Sequence, residues 1–158
     1  MDRLTTVMVR LSLGWLLTGF VVGGVMLVDR VVPGEWRAWL APSHGHMLFV
    51  GWFLQFVFGI AYWLLPRKRS AQRPLGYDER LALLGVSALN GGLMLRILSE
   101  PFERIGQGNT VTITALFGAA VLQILAALIF VRQLWPRTGV RQARPRAQEA
   151  GKGTAHRT

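Results

Sequence analysis

Ser43-His44-Gly45-His46-Met47-Leu48-Phe49-Val50-Gly51-Trp52-Phe53-Leu54-Gln55-Phe56-Val57-Phe58-Gly59-Ile60-Ala61-Tyr62-Trp63-Leu64-Leu65-Pro66 is the stretch whose reading decides the fold. No acidic or basic side chain stands between His46 and Arg67. A bilayer takes about 20 consecutive apolar residues to cross as a helix, and this run is long enough. It opens on two of the chain's 3 histidines. A histidine pair at the mouth of an apolar helix is uncommon, and the rest of the chain is read outward from it.

Three further apolar segments flank it. The chain has 158 residues, of which 51% are hydrophobic and 16% charged. Soluble domains carry about 25% charge, so the profile is that of a small membrane protein. The expected fold is an all-α integral membrane four-helix bundle in one domain, residues 1–136, with helices over about 7–28, 43–65, 81–98 and 110–134. A basic tail, 137–158, rich in Arg, Ala, Gln and Gly, reads as solvated and disordered. The first segment is too long for a removed signal peptide and lacks a small-residue cleavage site. Pro42-Ser43 is read as a break followed by an N-cap for the second helix. Trp36 and Trp39, just before it, suit a membrane interface. Gly19 and Gly23 give the GxxxG spacing that lets a second helix approach closely. The absence of cysteine excludes disulfides, thiolate metal sites and c-type haem attachment.

The net charge of +10 is distributed as membrane topology rather than as a nucleic-acid footprint. If four helices cross, the N-terminus, the second connector and the tail share one side. Arg3, Arg10, Arg67, Lys68, Arg69, Arg73, Arg80, Arg132, Arg137 and the basic residues of the tail all lie there. The opposite connectors carry Arg30, Arg37 and Arg104. The positive-inside rule therefore places both termini in the cytoplasm, and His44 and His46 near the outer surface.

Helical geometry separates the two histidines. At about 100° per residue, Gly51, Gln55 and Tyr62 fall within about 20° of His44, and Met47 about 60° away. His46 falls among Val50, Phe53, Val57 and Leu64. Polar groups in a membrane need partners inside the protein, so the His44 face is expected to point inward, with His46 at headgroup level or at a subunit contact. Two residues apart, the rings diverge by about 200°, so a shared copper or zinc site at His44 and His46 requires an unwound first turn. A single inward imidazole suits haem iron, with Gly51 leaving room beside the macrocycle, or else a hydrogen bond to a neighbouring helix. Arg96, inside the third segment, lies at the depth of His44 and suits haem propionates, or else an ion pair with Glu100. Asn90 and Gln123 read as interhelical hydrogen bonders.

The run His44-Gly45 … Gly59-Ile60-Ala61-Tyr62-Trp63-Leu64-Leu65-Pro66 resembles the second transmembrane helix of the catalytic subunit of haem-copper oxidases and nitric oxide reductases. That subunit family, cytochrome c oxidase subunit I among it, is built of arcs of four helices, and this chain is similar to one arc of the three. The resemblance implies that His44 ligates a low-spin haem b. It implies no reduction of oxygen or nitric oxide by this chain alone, because the third and fourth helices carry no histidine. A second axial ligand would come from Met26, Met47, Met94, His46 or another subunit. Copies closing into a homotrimer, or a dimer sharing a haem, are the implied assemblies. The expected function is thus electron transfer or gas sensing by a haem b protein of the bacterial inner membrane, with His44, His46, Met47, Gly51, Met94 and Arg96 as candidate site residues. The alternatives are a cofactor-free accessory or assembly subunit beside respiratory-complex partners, and a copper- or zinc-handling membrane protein.

Overall fold

The computed structural model describes residues 2–66 and 74–139. The described residues are helical and contain no strand. Helix α1 runs over Arg3–Leu27. Helix α2 spans Trp36–Leu64. Helices α3 and α4 span Glu79–Arg104 and Thr110–Leu134. All four are long and apolar enough to cross a membrane, which makes the chain a multi-pass membrane protein by length and composition.

Side-chain caps fix three of the helix starts. Asp2 accepts from Thr5 N at 2.9 Å and Asp78 from Leu81 N at 3.1 Å. Asn109 accepts from Val111 N and Thr112 N, and the Thr112 hydroxyl accepts from Asn109 N, a reciprocal capping box.

Several boundaries differ from the sequence reading: α1 begins at Arg3 rather than about 7 and α3 at Glu79 rather than 81, each behind an aspartate cap, and two differences are larger. Helix α2 begins at Trp36 and runs through Pro42, so Pro42-Ser43 is neither a break nor a cap. Pro42 is the seventh residue of the helix, past the first turn, so it removes an intrahelical bond that Ala38 O would otherwise accept, and the helix continues despite that loss. The start is fixed instead by Asp29, whose Oδ1 accepts from Gly34 N and Trp36 N at 3.2 Å each. Helix α3 continues past 98 to Arg104, through Pro101, so Glu100 and Glu103 belong to the helix rather than to a connector. The expected disordered tail lies outside the described residues from 140 onward, but Arg137 is buried, with 2% of its surface exposed.

The middle of α2, Met47–Leu54, is a π-helix, wound wider than the α-helix on either side. Its effect is visible in the buried positions Ser43, Met47, Gly51, Gln55 and Gly59, which recur every fourth residue. In a straight α-helix each four-residue step drifts about 40°, and this set would wind off its face. The wider turn cancels the drift, and a single inward ridge reaches from Ser43 to Tyr62.

The helices form an open arc rather than a closed bundle. Helix α2 packs between α1 and α3, α4 packs on α3, and α1 and α4 do not touch among the described residues. Small residues allow each close approach. A Cβ on Gly59 would stand 3.1 Å from Met8 Cβ, and one on Gly92 would stand 2.9 Å from the Ala119 carbonyl oxygen. Such backbone proximity is how apolar helices associate where water supplies no driving force. At the end opposite the histidines, Tyr62, Tyr77 and Phe130 pack edge to face, and Phe58 lies 4.8 Å from the Phe130 ring.

Candidate functional site

Both histidines of α2 face neighbouring helices, because α2 has a helix on either side. His44 points to α1, where its Nδ1 donates to the Gly19 carbonyl at 2.9 Å. A carbonyl only accepts, so Nδ1 carries the hydrogen, and Nε2 of the neutral ring keeps its lone pair. The ring lies in the glycine notch read from sequence: a Cβ on Gly23 would stand 2.9 Å from His44 Cε1, and one on Gly19 would stand 2.5 Å from Leu48 Cδ2. The GxxxG spacing therefore seats side chains of α2, an imidazole included.

His46 points the other way. Its Nδ1 donates to Pro42 O at 2.8 Å within its own helix and stands 3.5 Å from Glu100 Oε2 on α3. His46 thus meets α3 at Glu100, whereas Phe53, Val57 and Leu64 further along the same face are exposed. The two rings diverge and do not converge on one metal position. Among the described residues no group of three or more His, Cys, Asp and Glu could hold a metal ion.

Arg96 pairs with Glu100, Nε to Oε1 at 2.9 Å. Glu100 thus pairs with a cation of its own helix through Oε1, while its Oε2 faces the His46 ring of α2 at 3.5 Å without a hydrogen bond, since the Nδ1 hydrogen goes to Pro42 O. Only Nε of Arg96 is committed there, and its two terminal amino groups remain available to a second acceptor.

The remaining sequence candidates separate. Met47 is buried in a cluster with Trp15 and Leu93. Gly51 leaves no room for a macrocycle: a Cβ there would meet Trp15 Cγ at 2.6 Å and Leu93 Cδ2 at 2.8 Å, so neighbouring side chains already fill the space. Met94 is half exposed and lines a groove between α1 and α3 with Arg10, Leu11, Gly14, Trp15, Thr18, Asn90 and Gly91, a lining that excludes His44.

Asn90 is the interhelical hydrogen bonder expected from the sequence, whereas Gln123 Nε2 finds no partner among the described residues. Two polar features go further than that reading. One is a hydrogen-bonded chain across three helices. Trp15 Nε1 donates to Asn90 Oδ1 at 2.8 Å, Asn90 Nδ2 to Gln55 Oε1 at 3.0 Å, and Gln55 Nε2 to Met8 O at 3.3 Å. Asn90 and Gln55 each carried a signal, as amides inside apolar helices, whereas Trp15 was indistinguishable from an ordinary apolar residue. The other is Arg137, whose guanidinium donates to the carbonyls of Tyr62, Leu65 and Pro66 and lies 5.8 Å and 5.9 Å from the Tyr62 and Tyr77 ring centres. It closes the end of α2, whose last carbonyls have no partner within the helix.

Comparison with known proteins finds no matching family model, no matching curated protein and no matching solved structure. The functional reading therefore rests on the residues.

Proposed function

We propose that the chain is a haem b protein of the bacterial inner membrane, with both termini cytoplasmic, that works in electron transfer or gas sensing. The observation that carries the reading is the 2.9 Å bond from His44 Nδ1 to the Gly19 carbonyl. Ligating histidines characteristically give their second ring N–H to a carbonyl or carboxylate, which fixes tautomer and ring orientation and leaves the other nitrogen for the metal. His44 would hold the iron through Nε2; Arg96, the residue suited to a propionate, lies with Glu100 and His46 on the α3 side of α2, so the residues at hand support the imidazole ligand and not the propionate contact. Bound haem supplies one-electron chemistry or an iron open to a diatomic ligand. This chain's contribution is to aim the imidazole and to keep its surroundings apolar. Met94 lines a groove that excludes His44, whereas Met47 packs beside Gly19 as His44 does, so a further ligand would come from Met47, Met26, a second copy or the gas. The open arc, with α1 and α4 apart, supports assembly of several copies.

The test is a reduced-minus-oxidised optical spectrum of the detergent-purified full chain. A Soret band should be present, lost in His44→Ala and retained in His46→Ala. No band, or a band indifferent to His44→Ala, overturns the proposal.

A second reading, a cofactor-free accessory or assembly subunit, is favoured by the internal closure of Arg96, Glu100 and His46. It predicts that purification from native membranes brings down respiratory-complex subunits with no haem bound to this chain.

A further inference from the structure

The groove between α1 and α3, about 430 Å³, lies apart from His44 and has its own chemistry. Its wall is apolar or small: Leu11, Gly14, Gly91 and Met94. The polar side chains in the wall are already engaged. Trp15 Nε1 donates to Asn90, both Asn90 amide hydrogens go to Gln55 and to Val86 O, and the Thr18 hydroxyl donates to Gly14 O. A ligand that needs hydrogen bonds from the protein finds none along this wall.

Arg10 is the exception. It is exposed, lines one end of the groove, and makes no ion pair or hydrogen bond among the described residues. The span from Arg3 to Arg30 has 28 residues. At about 1.5 Å per residue that is about 42 Å, against a hydrocarbon core of about 30 Å. Arg10, about 10 Å along, sits roughly one side-chain length below the interface and can reach the headgroups by extending toward the N-terminal side. An unpaired arginine at this depth is costly and calls for an anionic partner.

We propose that this groove is a binding site for an anionic phospholipid of the leaflet on the N-terminal side, with one acyl chain along Leu11, Gly14 and Met94 and the phosphate on Arg10. Charge complementarity selects the occupant. An apolar trough ending in one free guanidinium matches an acyl chain ending in a phosphate. The site is independent of any cofactor at His44.

The test uses the full chain, reconstituted in vesicles of equal phosphatidylglycerol and phosphatidylcholine, extracted in mild detergent and examined by native mass spectrometry for retained lipid. Retained lipid should favour phosphatidylglycerol by about fivefold, the order that one basic residue contributes at an anionic surface. Arg10→Gln should abolish the preference while lipid is still retained. Gly14→Leu should lose both lipids, and because a Cβ at Gly14 meets nothing within 4 Å it should fold and melt like the wild type. Equal retention of the two lipids by the wild type, a preference that survives Arg10→Gln, or retention that survives Gly14→Leu overturns the proposal. So does a cysteine placed at position 14 that cross-links to a second copy in the membrane, since the groove would then hold protein.

Discussion

Gly51→Ala tests the packing at the centre of the arc. The added Cβ would stand 2.6 Å from Trp15 Cγ, 2.9 Å from Trp15 Cβ and 2.8 Å from Leu93 Cδ2. Unstrained carbon contacts begin at about 3.5 Å, so the overlap with Trp15 is about 0.9 Å. Trp15 Cβ is fixed by the backbone of α1, and Trp15 Cγ moves aside only by a change of χ1 that carries the whole indole with it. Either α1 shifts outward or Trp15 swings off its 2.8 Å bond to Asn90. Overpacking of this kind costs about 1–3 kcal/mol. For a chain of this size that corresponds to about 2–4 °C of melting temperature per kcal/mol, so a loss of several degrees is expected. The assay is thermal unfolding of the full chain in mild detergent, followed by helical circular dichroism, with Gly14→Ala as the control because its Cβ would meet nothing within 4 Å. If Gly51→Ala melts with the control, the close packing of α1, α2 and α3 around Gly51 is wrong.

Asn90→Leu strands Trp15 Nε1 and Gln55 Oε1 at once, with an expected loss of about 0.6–1.7 kcal/mol, the measured scale for interhelical hydrogen bonds in membranes; detergent melting and a shift in tryptophan emission read it. Arg137→Gln removes a charged donor from three carbonyls at the end of α2. Hydrogen bonds to charged groups contribute about 1.5–3 kcal/mol, so this variant should melt well below Arg132→Gln, whose side chain is exposed. Glu100→Gln should loosen the outer ends of α2 and α3, and a double-mutant cycle with Arg96→Gln should show coupling of about 0.5 kcal/mol or more; zero coupling would refute the pairing.

The four helices were legible because their apolar runs are long and the connectors are polar. The fourth was readable to the residue, since Asn109 is a strong cap and Pro136 follows Leu134 closely. The start of α2 was not, because proline is ambiguous from sequence: Pro42 stands inside the helix, which continues through it at the loss of one intrahelical bond. The fate of Arg137 was hidden because its partners are backbone carbonyls some seventy positions earlier, which no local pattern encodes. Arg96 was open between propionate and Glu100, and four-residue spacing on one helix settles its Nε on Glu100.

The π segment explains how one helix serves two neighbours. Ser43, Met47, Gly51, Gln55 and Gly59 are small, polar or flexible and spaced by four, a period that a straight α-helix cannot keep on one face. That spacing was present in the sequence as a signal for the wider turn. Because the turn widens only after His46, the first part of α2 keeps ordinary α geometry, and the two histidines diverge as that geometry requires. With α1 on one side and α3 on the other, divergence sends each ring to a different helix rather than one inward and one to lipid. The consequence is chemical. His46 bonds the Pro42 carbonyl of its own helix with a carboxylate 3.5 Å away on α3, whereas His44 bonds a carbonyl of α1, with no partner of Nε2 among the described residues. The two positions are not interchangeable, and exchange of their roles in the His44→Ala and His46→Ala spectra would show that the wider turn is misplaced.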